Sequence, residues 1–360
     1  MNSTKRKIMS AEDCVRLGDY LYFISADVNV VFKLCIYTGE TEIVSHIPGE
    51  TMDARRLGAK IIHQGDELIF APMEAKDIWI YNLKTEKWEN IERKEFANGK
   101  TSVTLGPMFQ CVQHNEKLYF IGSVYPAIIE FSLQTRNINY ITEPYKRYLR
   151  DAEKLRDAFF RTDYVKKDNV IYLASCLKNE VMKFNLDTYD TEYFTVGGSG
   201  NRYAGITFCN DNFYLAPRKC TPVVIWNGSN NWKQIELPEP YKNLDRYWFG
   251  GAVEYRGKIL FTAYGGDVSF ALSLNEKRNL ELVEETYWFY KQIDDSTKVS
   301  LTQKGLLEIE ANKQYYRYEL SLPIEELGKY IKHNGYDALK MNSIQKENHF
   351  WDLGMFVSMI

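Results

Sequence analysis

The chain is short of the patterns that announce chemistry. Its six cysteines, Cys14, Cys35, Cys111, Cys176, Cys209 and Cys220, contain no C-x-x-C pair, which removes the usual zinc-knuckle and dithiol readings. The five histidines, His46, His63, His114, His333 and His349, show no H-E-x-x-H or comparable ligand spacing, so no metal is expected. No G-x-S-x-G elbow, Walker loop or dinucleotide-binding glycine fingerprint is present. The expectation is therefore no cofactor and no assignable catalytic residue.

Positive charge and long apolar runs are lacking too. The formal net charge is −3 and the pI about 6.1, so no overall field draws the protein to nucleic acid. The opening "MNSTKRKIMSAEDCVRLGD" has no apolar core of a signal peptide, and no uninterrupted apolar run approaches the ~20 residues of a membrane span. These features predict no nucleic-acid partner, no membrane insertion, a cytoplasmic location and reduced, buried cysteines.

Aromatic residues are plentiful: 14% of the chain, with 26 Tyr and 19 Phe, a bias toward pleated strands. Six stretches resemble one another, typified by "GDELIFAPMEAKDIWIYNLKTEKWENI" at 65–91 and "DNVIYLASCLKNEVMKFNLDTYDTEYF" at 168–194. Taking Leu21, Leu68, Leu118, Ile171, Phe213 and Ile259 as anchors, a step of 13 residues lands on Leu34, Tyr81, Phe131, Phe184, Trp226 and Leu272, all large and apolar. Two positions further stand Ile36, Leu83, Leu133, Leu186, Gly228 and Leu274, so only the fifth copy breaks. Successive anchors are 47, 50, 53, 42 and 46 residues apart, near the ~40–50-residue period of propeller blades. A lone four-stranded sheet cannot bury both faces, whereas several packed radially can.

The chain is similar to the kelch-type β-propellers over residues 11–285, through motifs such as "YNLKTEKW" with Tyr81 and Trp88 around a polar turn. The Gly-Gly that usually follows the second kelch strand occurs only as Gly265-Gly266, and the Asp-box turns of sialidase-like propellers are absent. Beyond residue 285 the 13-residue step fails, from Val299 to Asn312, although "YWFYKQ", "KVSLTQ", "LLEIEA" and "YYRYELS" read as four strands. The expected fold is all-β: a seven-bladed β-propeller of four-stranded antiparallel blades, six-bladed as the alternative, in one domain over 1–360. Blades are placed at 11–46, 58–92, 106–142, 159–195, 204–238, 248–284 and 286–322. Residues 323–360 are read as short helices opened by Pro323 and a closing strand "GMFVSMI".

In such a blade the loop between strands two and three shares one rim with the join to the next blade. Arg56, Arg156, Arg202 and Arg246 precede their anchors by 12, 15, 11 and 13 residues, which places them at similar heights near a channel mouth, with Tyr203, Tyr247 and Trp248 beside them. Arg218 lies in a loop between strands two and three. Guanidinium forks grip carboxylates or phosphates and flat rings stack on sugars or peptides; a structural hydrogen bond between blades would demand the same recurrence. Asp27, Asp77, Glu180 and Asp267 reach this rim as possible partners for the arginines. The long join "TEPYKRYLRDAEKLRDAFFRTDY" has helical spacing, and the glycine-rich "VGGSGNR" at 196–202 reads as a flexible rim loop. The functional expectation is a non-catalytic module binding a protein or peptide partner through this rim. The alternative is a carbohydrate-directed binder, or a lyase or mutarotase, gripping an anionic sugar.

Overall fold

The structure is a computed structural model and describes residues 9–98, 101–103, 106–149, 158–242, 244, 249–264, 268–275, 279–321 and 323–334. Seven antiparallel sheets follow one another, each of four strands in sequence order, at residues 11–45, 58–91, 110–141, 165–195, 203–235, 249–283 and 287–319. This is an all-β, seven-bladed β-propeller. A hairpin of Phe96–Asn98 and Thr101–Val103 stands between blades 2 and 3.

The 13-residue spacing has a direct cause. Leu21 and Leu34, Leu68 and Tyr81, Leu118 and Phe131, Ile171 and Phe184, Phe213 and Trp226, and Ile259 and Leu272 are each opposed across the second and third strands of one blade. Both members point into the same sheet face, so both must be apolar. In blade 7 the opposed residues are Thr297 and Ala311, Lys298 and Glu310, and Val299 and Ile309. Those separations are even, so no pair 13 apart exists there, and the blade forms all the same. The fifth-copy break also resolves: Gly228 adopts φ +83° in the turn after Trp226, a conformation costly for a side-chain-bearing residue.

Compactness divides the chain into two units: blades 1, 2 and nearly all of 7 (Met1–Glu92 and Trp288–Ile360), and blades 3 to 6 (Arg93–Tyr287). In the first, Phe23, Phe32, Leu34, Val299, Leu301 and Ile309 share one buried cluster, and the Met9 amide donates to the Leu320 carbonyl at 3.0 Å. Helix Ile324–His333, expected after Pro323, packs Leu327 and Ile331 into that cluster. The expected strand at 354–360 and any helix past residue 334 lie outside the described residues. In the second unit the start of the long join forms a 3-10 turn, Glu143–Tyr145, and a short helix, Lys146–Leu149. Tyr145 and Tyr148 are fully buried against Phe159 and Phe160. The described start of the join thus puts Tyr145 and Tyr148 in the core while Lys146 is exposed, and most of the helix expected from the spacing, at 150–157, lies outside the described residues.

Cys14, Cys176 and Cys220 are buried and the other three cysteines half-buried, none in a disulfide. Burial pushes the Cys14 thiol up to about 12, against the pull of Lys291.

Candidate functional site

Within blades 3 to 6 the end of the long join, Phe159–Asp163, behaves as a strap. Its apolar start is anchored by burial of Phe159 and Phe160, and its backbone and polar side chains are hydrogen-bonded to blades 3, 4 and 6. The Phe159 amide donates to the Ser123 carbonyl (2.6 Å), and the Cys176 amide to the Phe159 carbonyl (2.8 Å). Gln110 donates its side-chain amide to the carbonyls of Arg161 and, at 2.8 Å, Asp163. Thr162 Oγ1 donates to the Gly250 carbonyl at 2.9 Å, and Asp163 Oδ2 accepts from the Ala252 amide at 2.7 Å.

That carboxylate needs glycines beneath it. A Cβ on Gly205 or Gly251 would collide with Asp163 Oδ2. The first strands of blades 5 and 6 are bulged beside these residues, between Tyr203 and Gly205 and between Phe249 and Gly251, and each is paired on one side only, so the Ala252 amide is available to the carboxylate.

The strap connects to the neighbouring loops through main-chain bonds. The Tyr203 amide donates to the Ser175 carbonyl (2.9 Å) and the Arg218 amide to the Arg202 carbonyl (2.7 Å). Arg218 Nη1 donates to the Cys176 carbonyl at 2.9 Å. Arg202 Nη1 donates to the carbonyls of Ser199 (2.9 Å) and Asn201 (2.6 Å). The Arg161 guanidinium lies 3.9 Å from the ring centroid of Tyr264, a side chain that is 51% exposed. Apart from Tyr203, which opens the first strand of blade 5, these residues sit in joins or in loops between second and third strands, the two sets that share one rim of unit 2. The Cys176 thiol is raised by burial, with Arg218 and Arg161 acting against the rise, so both guanidinium charges reach the same point.

Of the residues expected from sequence, Arg202 and Arg218 come together here. Tyr203 does not face a ligand: it is 0% exposed, and its hydroxyl is spent on the Val196 carbonyl. It belongs to the packing between blades because the bulged strand turns it inward. Arg56 lies in the other unit, where Nε pairs with Glu12 at 2.8 Å and its carbonyl accepts from the Glu74 amide at 3.0 Å. That last bond matches the Arg202–Arg218 pairing of blade 5, so the two positions are equivalent in the main chain, but the side chains differ: Arg56 is paired with a carboxylate and Arg202 with main-chain carbonyls. Arg156, Arg246, Tyr247, Trp248 and Asp267 lie outside the described residues.

The acidic expectations divide similarly. Glu180 pairs with Arg147, whose guanidinium also lies 4.7 Å from the Tyr193 ring centroid. Asp27 accepts from the amide and hydroxyl of Ser10, both at 2.9 Å, and Asp77 from Asn90 at 3.0 Å. In unit 1 the buried Asp13 takes Lys291 at 3.0 Å and the Ile61 amide at 3.2 Å. Arg161, Asp163 and Tyr264 were missed. Arg161 precedes its anchor Ile171 by 10 residues, closer to the spacing of Arg202 than Arg156 is, and that was the available signal. Asp163 and Tyr264 carry none, because their neighbours come from distant blades.

Among the described residues no group of three or more His, Cys, Asp or Glu could hold a metal ion, and no helix is long and apolar enough to cross a membrane.

No family model matches the chain, and no curated protein matches it. Solved structures do. The chain is similar to a streptogramin B lyase structure at 11% identity and TM-score 0.57, covering 88% of this chain and 94% of that one. A catalytically inactive virginiamycin B lyase from Staphylococcus aureus with quinupristin is similar at 12% identity and TM-score 0.59, covering 84% and 94%. BamB from Moraxella catarrhalis is similar at 12% identity and TM-score 0.53, covering 88% and 91%. At these identities the likeness is one of fold, and one fold hosts many functions.

Proposed function

We propose that this chain is a non-catalytic, kelch-like propeller module that binds a protein or peptide partner through the loop-built rim of blades 3 to 6. The observation that carries this reading is the main-chain stitching of the rim. Strap, joins and loops hold one another through backbone hydrogen bonds, while Arg161, Arg202 and Arg218 remain partly exposed on a face that needs little ordering before it binds.

A steric block on the rim tests it. Ser199 is exposed on the join before blade 5 and Gln134 is exposed in the turn between the third and fourth strands of blade 3, at the opposite end of its blade. Pull-down from the native cell is expected to recover a stoichiometric partner with wild type and with Gln134→Trp, and to lose it with Ser199→Trp. Equal recovery with both variants would remove the rim from the account. Deleting 143–160 is unsuitable for this purpose, since Tyr145, Tyr148, Phe159 and Phe160 are core. The carbohydrate reading keeps one support, the half-exposed Tyr264 ring beside Arg161, a surface on which a sugar face can stack.

A further inference from the structure

Resting on that reading, we infer that the partner segment is acidic, and that its carboxylates are taken by Arg161 and Arg202 with Arg218 beside them. Three observations lead there. First, the part of the rim around the strap is cationic although the chain as a whole carries −3. Its described segments 158–164, 175–180, 196–203 and 218–222 hold Arg161, Lys178, Arg202, Arg218 and Lys219 against only Asp163 and Glu180. Glu180 is already paired with Arg147.

Second, the carboxylate nearest in sequence to Arg161 is committed elsewhere. Asp163 Oδ2 accepts from the Ala252 amide and rests over Gly205 and Gly251. Among the described residues neither Arg161 nor Arg202 forms an ion pair with a carboxylate: Arg161 lies over Tyr264, and Arg202 donates to main-chain carbonyls. A guanidinium oriented by a ring or by carbonyls keeps further N–H donors for a ligand and loses little freedom on binding it.

Third, the rim offers more than one cation, drawn from four separate segments. Several cations on one face suit a peptide carrying several carboxylates better than the single carboxylate of one sugar residue. Arg161 and Arg202, which form no ion pair among the described residues, would also speed the encounter with an anionic partner and make it sensitive to salt.

The test uses the full chain with a fluorescein-labelled hexaglutamate peptide, hexaglutamine as the neutral control and trigalacturonate as competitor, followed by fluorescence anisotropy. Hexaglutamate is expected to bind, hexaglutamine not, and binding is expected to weaken as salt rises from about 50 to 200 mM. Arg161→Gln and Arg202→Gln are each expected to weaken it roughly tenfold, whereas Arg317→Gln, which removes an exposed charge paired with Glu308 in unit 1, changes it less than twofold. Thermal unfolding confirms that the variants fold. If Arg161→Gln does not, Arg161→Lys keeps the charge, loses the planar fork and is expected to weaken binding as well. Hexaglutamate binding weaker than about 1 mM, or equal losses from Arg161→Gln and Arg317→Gln, would overturn the inference. So would trigalacturonate binding the rim more tightly than hexaglutamate, which would transfer the site to an acidic sugar. A partner that is lost with Ser199→Trp yet binds Arg161→Gln/Arg202→Gln unchanged would leave the interaction module standing and overturn only the acidic ligand.

Discussion

Replacing Gly251 by alanine tests whether Asp163 and the glycines beneath it form one device. The three atoms nearest to a Cβ at Gly251 all belong to the Asp163 carboxyl group. Overpacking of this kind costs about 1–3 kcal/mol, and in a unit of this size each kcal/mol lowers Tm by roughly 2–4 °C. Asp163→Ala by itself removes the charged acceptor of the Ala252 amide and costs at least about 1–3 kcal/mol. The two effects share one contact, so they should not add. In the Asp163→Ala background those nearest contacts are gone, and Gly251→Ala should cost much less. The coupling expected in a double-mutant cycle is about 1–3 kcal/mol, or roughly 2–12 °C in Tm. Gly205→Ala provides the contrast, because its Cβ also meets Gly251 Cα at 2.7 Å and the Ala252 amide nitrogen at 2.9 Å. Removing Asp163 should not rescue it. At Gly250 the added carbon would meet only ordinary contacts of 3.6–3.8 Å, so Gly250→Ala should be nearly silent. Thermal and urea unfolding of these variants decide the matter. Equal costs of Gly251→Ala with and without Asp163 would refute the carboxylate cradle.

Other consequences follow from the same structure. Trp88 and Trp232 occupy equivalent cross-strand positions, opposite Tyr81 and Trp226. Trp88 packs against Phe70, Trp79 and Tyr81 and donates to Ser45 at 2.9 Å, while Trp232 is 40% exposed; Trp88→Ala should cost about 2–4 kcal/mol in urea unfolding and Trp232→Ala under about 1. Hydrogen bonds from Asn169 and then His114 hold the Asp187 carboxyl below its usual range, so its contribution is present above the unfolded carboxylate value near ~3.9 and lost as pH falls through the lower folded value. The Tm difference between wild type and Asp187→Asn should therefore be constant just above about pH 4 and shrink below it. Burial holds His46 below its usual value, and its Nδ1 lies 2.7 Å from the Tyr330 hydroxyl. As pH falls below about 6.5 the unfolded chain takes up the proton more readily and stability is lost. Hydrogen exchange at Leu327 and Ile331 should accordingly be faster at pH 5 than at pH 7.5, after correction for intrinsic rates.

The blades were legible because their information is local. Leu68 and Tyr81 face each other across one turn, and the turn length fixes their spacing. Blade 7 escaped that test because its opposed residues are an even number apart, although its four strands could be read from alternation. The rim was legible only in part. Arg202 and Arg218 stood out by position, but Tyr203 was taken for surface because nothing in its neighbourhood shows that a bulged strand turns it inward.

The sequence by itself determined the repeat, the strand registers of six blades and the height at which Arg202 lies. Periodicity demands only that opposed side chains share an environment, and neighbours along the chain suffice to show that. Only the tertiary structure decided which polar groups use one another up. Asp163 reaches Ala252, Arg161 finds Tyr264, and Arg56 is spent on Glu12. Those partners come from separate blades that only tertiary packing brings together, and no spacing within a single blade encodes them.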